Sequence, residues 1–292
     1  MSSENPVDPR PAVPVSPDSE WHSAPAESAL SARRWPNRLF VALALAVILV
    51  TLLLPHGEVP ERLDHLARAV CGQLVEHSFF CGERRLPLCA RCTGTYLGVL
   101  VTYVMLGIMG RGRANELPPL RILLVLFVFI ALWGLDGLNS YFALLTGSPL
   151  LYEPSNLLRL ISGLLQGLAL MVIVRPIVAF TLWAQSWDEQ VVRGYGELGL
   201  LMATLAVVGV VAQSEAAWLY YPLALSSVGG ELLMLSLVNT LIASVLLRRE
   251  GTAANWRQAA PLWLLGLAAA LVEVNLINLG REALNRLLGL PL

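Results

Sequence analysis

Seven apolar runs punctuate the chain, at about residues 38–55, 93–110, 120–145, 157–182, 198–213, 222–247 and 261–280. A helix needs about 20 apolar residues to cross the hydrocarbon core of a bilayer, and the longer runs meet that requirement. Within lipid every backbone N–H and C=O must be satisfied inside the segment, so such runs form helices. The expected fold is all-α: a polytopic transmembrane helical bundle of about seven spans, multi-pass in the cell membrane. Only 14% of the 292 residues are charged, against about 25% in soluble domains. The formal net charge of −1 offers nothing to nucleic acid, so the lipid bilayer is the expected partner. No phosphate-binding glycine loop or GxSxG elbow occurs.

Residues 1–37 read as a disordered N-terminal tail, rich in Pro, Ser and Ala and without apolar periodicity. Arg33, Arg34 and Arg38 then precede the short first run. No small-residue cleavage site follows it, so an uncleaved first span is expected rather than a signal peptide. Two membrane segments follow from this layout, 38–182 with spans one to four and 183–292 with spans five to seven. Arginine placement sets the orientation. A cytoplasmic N-terminus puts Arg111, Arg113, Arg121, Arg175, Arg193, Arg248, Arg249 and Arg257 inside, while the outer connections 146–156 and 214–221 carry no arginine. The connection 55–92 would then be extracytoplasmic despite its five arginines.

That connection holds all four cysteines, Cys71, Cys81, Cys89 and Cys92, and three of the four histidines, His56, His65 and His77. It opens with a short interfacial helix. Pro60 suits its first turn, Leu63, Leu66 and Val70 share a face, and Gly72 can stop it. Cys89 and Cys92 form a CxxC just before the second span. Three chemistries compete here. A CxxC supplies two thiolates to a tetrahedral metal, with zinc the candidate cofactor, and Cys71 with Cys81 or His77 would complete the ligand set. An oxidising compartment would instead favour disulfides, for which four cysteines allow three pairings. Thiol redox chemistry is the third reading, with Arg91 favouring a thiolate at either neighbour.

Polar residues inside the spans are the second clue, because charge within hydrocarbon is costly. Asp136 and Asn139 share a face of the third span, and Asn156 and Arg159 a face at the start of the fourth, followed by Ser162 and Gln166. Antiparallel packing of these spans would let Asp136 face Arg159 or Gln166. A structural ion pair between helices is the plainer explanation. Gly94 with Gly98, and Gly163 with Gly167, place small residues four apart and allow close helix contact. Glu231, Asn239, Glu273, Asn275 and Asn278 add polar groups to spans six and seven.

The stretches Cys71-Gly-Gln-Leu-Val-Glu-His-Ser-Phe-Phe, Pro87-Leu-Cys-Ala-Arg-Cys-Thr-Gly-Thr-Tyr-Leu-Gly, Leu135-Asp-Gly-Leu-Asn and Ser155-Asn-Leu-Leu-Arg-Leu-Ile-Ser-Gly-Leu-Leu-Gln-Gly resemble a family of predicted bacterial and archaeal membrane proteins, DUF2085, over about residues 65–175. The resemblance implies that Cys71, Cys89, Cys92, Asp136, Asn156 and Arg159 are motif positions. In the family pattern a histidine usually follows the first cysteine, whereas Gly72 stands here. Cys81 or His77 would have to replace it, and His77 itself stands where the family tends to have arginine. The family brings no reaction with it.

The leading expectation is a membrane protein whose extracytoplasmic cysteine segment, metal-bound or disulfide-locked, covers a polar pocket containing Asn139, Asn156 and Gln166. An embedded enzyme acting on a lipid-linked or quinone-like substrate is the second, with Asp136 as acid/base and Arg159 holding an anionic group. A small-solute or ion carrier is the third.

Overall fold

The computed structural model describes residues 37–53 and 57–289. The tail expected to be disordered, apart from Asn37, lies outside the described residues, as does His56. Helix α1 (Asn37–Leu53) has 17 residues and an apolar stretch at Val41–Thr51. Among the described residues, six further helices are long and apolar enough to cross a membrane: α3 (Ala90–Ile108), α4 (Leu120–Thr146), α5 (Asn156–Leu182), α6 (Tyr195–Gln213), α7 (Tyr220–Leu246) and α8 (Trp256–Leu288). The architecture is therefore the expected helical bundle, with α1 the short member.

The connection between α1 and α3 contains the interfacial helix α2 (Val59–Arg68), a 3-10 turn at Val75–His77 and a hairpin of β1 (Phe80–Cys81) with β2 (Arg84–Arg85). Glu61 Oε2 accepts from the Glu58 N–H at 3.2 Å, closing the start of α2. The helix buries Leu63, Leu66 and Ala67 against α7 and α8. Asn278 Nδ2 donates to the His65 carbonyl at 2.7 Å, and Arg281 donates to the carbonyls of Arg68 and Cys71. Polar groups from α8 thus hold α2 across one end of the bundle.

Helices α3 and α5 form the tightest contact, and the glycine pairs explain why. A Cβ on Gly98 would sit 2.6 Å from the Leu164 carbonyl oxygen and 3.1 Å from Gly167 Cα. Gly94 would meet Gly163 Cα at 3.2 Å. No larger residue fits at this crossing without separating the backbones. In lipid, such close packing takes the place of the hydrophobic drive that assembles soluble bundles.

Two of these helices carry an internal proline. Helix α5 continues through Pro176 to Leu182, and α8 begins before Pro261, at Trp256. Asn255 caps α8 by accepting from the Gln258 N–H at 3.1 Å, so the helix starts there rather than at the proline.

The opposite end of the bundle is latched separately. Strand β3 (Ala114–Glu116) pairs in parallel with β4 (Trp187–Gln190), and Arg111 bonds Glu189 and Glu197, each at 2.8 Å. The cysteine-bearing connection, residues 147–155 and residues 214–219 all lie at the first end.

Candidate functional site

Cys71 lies just beyond α2, Cys89 is the residue that caps α3, and Cys92 is in the first turn of α3. The three Sγ atoms lie within 4.8 Å of one another. Cys71 Sγ accepts from the Gln73 N–H at 3.4 Å and from the Cys89 N–H at 3.3 Å. Both donors come from the backbone, so the loop is shaped around the sulfur. Gln73 adopts a left-handed φ of 52°, which costs a non-glycine residue about 1–2 kcal/mol. Its side chain offsets that cost by donating to the Asp64 and Pro87 carbonyls, both at 2.9 Å, and Arg85 Nη1 donates to its carbonyl. Gln73 therefore ties α2 to the residues just before the CxxC.

No disulfide joins any of the four cysteines. Hydrogen bonds from the Cys71 and Cys92 thiols hold Cys89 far below the ordinary thiol range, with Arg91 adding to the effect. Cys71, giving its proton to Cys89 and desolvated by burial, is pushed up to about 11. The three groups share protons as one unit, with a thiolate favoured at the helix N-terminus.

The two remaining ligand candidates are not in this group. Cys81 is on the hairpin, whose turn is tied to residues 214–219 by the Gly82 N–H bond to the Glu215 carbonyl at 3.0 Å. That anchor carries Cys81 away from the cluster, where burial and Glu215 push its thiol up. His77 lines a cleft with Arg159 and Ser140 instead. His65 contacts Asn275 Oδ1 at 3.3 Å across α8.

Next to the thiols, a buried polar cluster joins α3, α4 and α5. Arg91 Nη2 and Nε lie 2.6 and 2.8 Å from Asp136 Oδ2, and Nη2 also donates to the Asp136 carbonyl and to Ser140 Oγ. Tyr152 donates its hydroxyl to Asp136 Oδ1 at 2.7 Å, and Ser162 Oγ lies 3.4 Å from Oδ2. Burial and this bond to Asp136 push the Tyr152 phenol up to about 12. Arg91, rather than Arg159 or Gln166, is the ion partner of Asp136. Gln166 meets Thr95 at 2.9 Å instead.

Asn139 and Asn156 act as clasps. Asn139 Oδ1 accepts from the Leu150 and Leu151 N–H groups, and its Nδ2 donates to the Tyr152 carbonyl, so one side chain folds the connection 147–155 over α4. Asn156 Nδ2 reaches the Glu76 and Ser78 carbonyls, while its Oδ1 accepts from Arg159 Nη1 at 2.8 Å. The thiols, Asp136, Asn139, Asn156 and Arg159 thus gather at one end of the bundle.

Sequence reasoning missed Ser140, Tyr152 and Gln73 as members of this site. Ser140 stands four residues after Asp136 on the same helical face, a spacing that could have found it. Tyr152 and Gln73 are in irregular connections and carry no comparable signal.

An uncharacterized protein of Methanocaldococcus jannaschii is 28% identical over 108 residues, which is 37% of this chain and 63% of that protein. The chain thus spans somewhat under two thirds of that relative's length. No solved structure matches. Residues 71–173, the stretch that carries the three clustered cysteines, Asp136, Asn156 and Arg159, match the family of predicted membrane proteins DUF2085.

Proposed function

We propose that Cys71, Cys89 and Cys92 bind a zinc ion that pins the α1–α3 connection onto the membrane bundle. The observation that supports this reading is the meeting of three sulfurs within 4.8 Å of one another. Zinc–thiolate bonds of about 2.3 Å place the sulfurs of a tetrahedral site about 3.8 Å apart, inside that limit. The two N–H donors on Cys71 Sγ are outer-shell contacts of the kind that orient metal-binding thiolates. A disulfide would use only two of the three sulfurs and leave the third without a role. Gly72 follows the first cysteine, and Cys81 and His77 lie outside the group, so these three thiolates fill three of the four tetrahedral positions.

The metal's role in this reading is structural. It joins the end of α2 to the start of α3, while the Arg91–Asp136–Tyr152 cluster joins α3 to α4 and to the connection that follows it. The carboxylate of Asp136 is already engaged by Arg91, Tyr152 and Ser162, which favours a clasp over an acid/base role. The cysteine end faces outward in this reading, because the short connections at that end, 146–156 and 214–221, lack arginine. In an oxidising compartment, a bound metal would also keep the three thiols from pairing.

Cobalt substitution tests the site. Purified protein loaded with Co²⁺ should show sulfur-to-cobalt charge-transfer absorption that Cys89→Ser weakens and Cys81→Ser leaves unchanged. An absorption band insensitive to Cys71, Cys89 and Cys92 substitutions would refute the assignment.

A further inference from the structure

We infer that the cleft beside Arg159 binds an anionic phosphate group, borne by a phospholipid headgroup or by free phosphate. The argument starts from charge. Two guanidinium groups, Arg91 and Arg159, stand near a single carboxylate, Asp136, and Arg91 takes both of its ion contacts. Arg159 is only 5% exposed. Among the described residues its side chain makes one hydrogen bond, Nη1 to the Asn156 amide oxygen, and its Nε is buried with no partner. Among the described residues no carboxylate is in ion-pair contact with Arg159, and the Asp136 and Cys89 charges offset its burial only from a distance; a buried guanidinium without a contacting counter-ion is unfavourable. An anion bound at Arg159 would remove that cost, and guanidinium donors match phosphate oxygens in geometry.

The surroundings supply further donors. Arg159 lines a cleft of about 360 Å³ together with His77, Ser140 and Leu144. Ser140 Oγ already accepts from Arg91, so its own hydrogen remains free to donate to a ligand. Burial and the Arg159 charge keep the His77 imidazole toward its neutral form, in which one ring N–H still donates. Glu76 also borders the cleft, but its side chain is exposed at the rim, whereas the guanidinium lies inside. Next to the cleft, the last turns of α4 expose Tyr141, Leu144 and Leu145. A phosphate at Arg159 would leave an attached acyl chain along that apolar flank. This site lies beside the thiol cluster and does not depend on its holding a metal.

The test uses the full-length protein in nanodiscs of phosphatidylcholine, with and without phosphatidylglycerol, and separately in neutral detergent with inorganic phosphate. Binding is read as a shift in thermal unfolding and as phospholipid retained in native mass spectrometry. Stabilisation by phosphatidylglycerol alone identifies the lipid as the source, and stabilisation by phosphate as well identifies the free ion. Arg159→Gln should weaken binding by about tenfold or more, as loss of a charge-assisted contact implies. Ser140→Ala should weaken it by a smaller factor and gives the readout if Arg159→Gln does not fold. The inference is overturned if neither probe stabilises the wild type, or if both variants bind as the wild type does.

Discussion

Replacing Asp136 with Asn removes one charge and little volume, and leaves Arg91 in its buried place. Side-chain exposure is 3% for Asp136 and 19% for Arg91, and their closest approach is 2.6 Å. Breaking a buried ion pair from one side costs about 3–5 kcal/mol, because the surviving charge loses its partner. Asn can still accept from Tyr152 or Arg91, and water reaches part of the guanidinium, so the expected loss is near the lower end, about 3 kcal/mol. Arg91→Met should cost a similar amount, by leaving Asp136 alone. The double variant should cost less than the sum of the two, with a coupling of about 2 kcal/mol. Equilibrium unfolding in mixed micelles, followed by far-ultraviolet circular dichroism, measures all four corners of this cycle. If Asp136→Asn unfolds within about 0.5 kcal/mol of the wild type, or if the two losses simply add, the clasp does not hold these helices together.

Other parts of the bundle make their own predictions. Gly98→Ala and Gly167→Ala should each destabilise by about 1–3 kcal/mol, since the Cβ on Gly98 would lie 2.6 Å from a backbone oxygen. Gly199→Ala in α6 meets no atom within 4 Å and should be neutral or gain up to about 1 kcal/mol in the same unfolding assay. Glu231 is fully buried in α7, with neither carboxyl oxygen hydrogen-bonded among the described residues. Glu231→Met should therefore stabilise the fold by about 1–3 kcal/mol, and a loss of stability would reveal a partner for that carboxyl. Burial and Arg159 depress the His77 imidazole below its ordinary 6.5. As pH falls through about 6.5 the unfolded chain takes up this proton first, so stability declines on the acid side. His77→Gln should flatten that decline in a pH series of thermal unfolding.

The helices, their order and the gathering of polar residues at one end were legible because span length and helical spacing are local properties. The pairs Gly94/Gly98 and Gly163/Gly167 signal close helix contact, though not that they meet each other. The partner of Asp136 was not legible. Spacing put Asp136 and Arg159 on facing helices, but Arg91 reaches Asp136 because α3 and α4 both pack against α5, an arrangement that spacing within each helix does not reveal. The fate of Cys81 depended on a contact more than a hundred residues away in sequence, the hairpin tie to Glu215. The roles of Gln73 and Tyr152 arise from irregular backbone that no periodicity describes.

The central claim is that three sulfurs act together as a metal site, and metal content measured alongside a thiol count tests it most directly. Full-length protein, purified without chelator, should carry one zinc ion per chain and release it together with four titratable thiols on unfolding in chelator. Four thiols with no metal, or a disulfide joining any two of Cys71, Cys89 and Cys92, would contradict it.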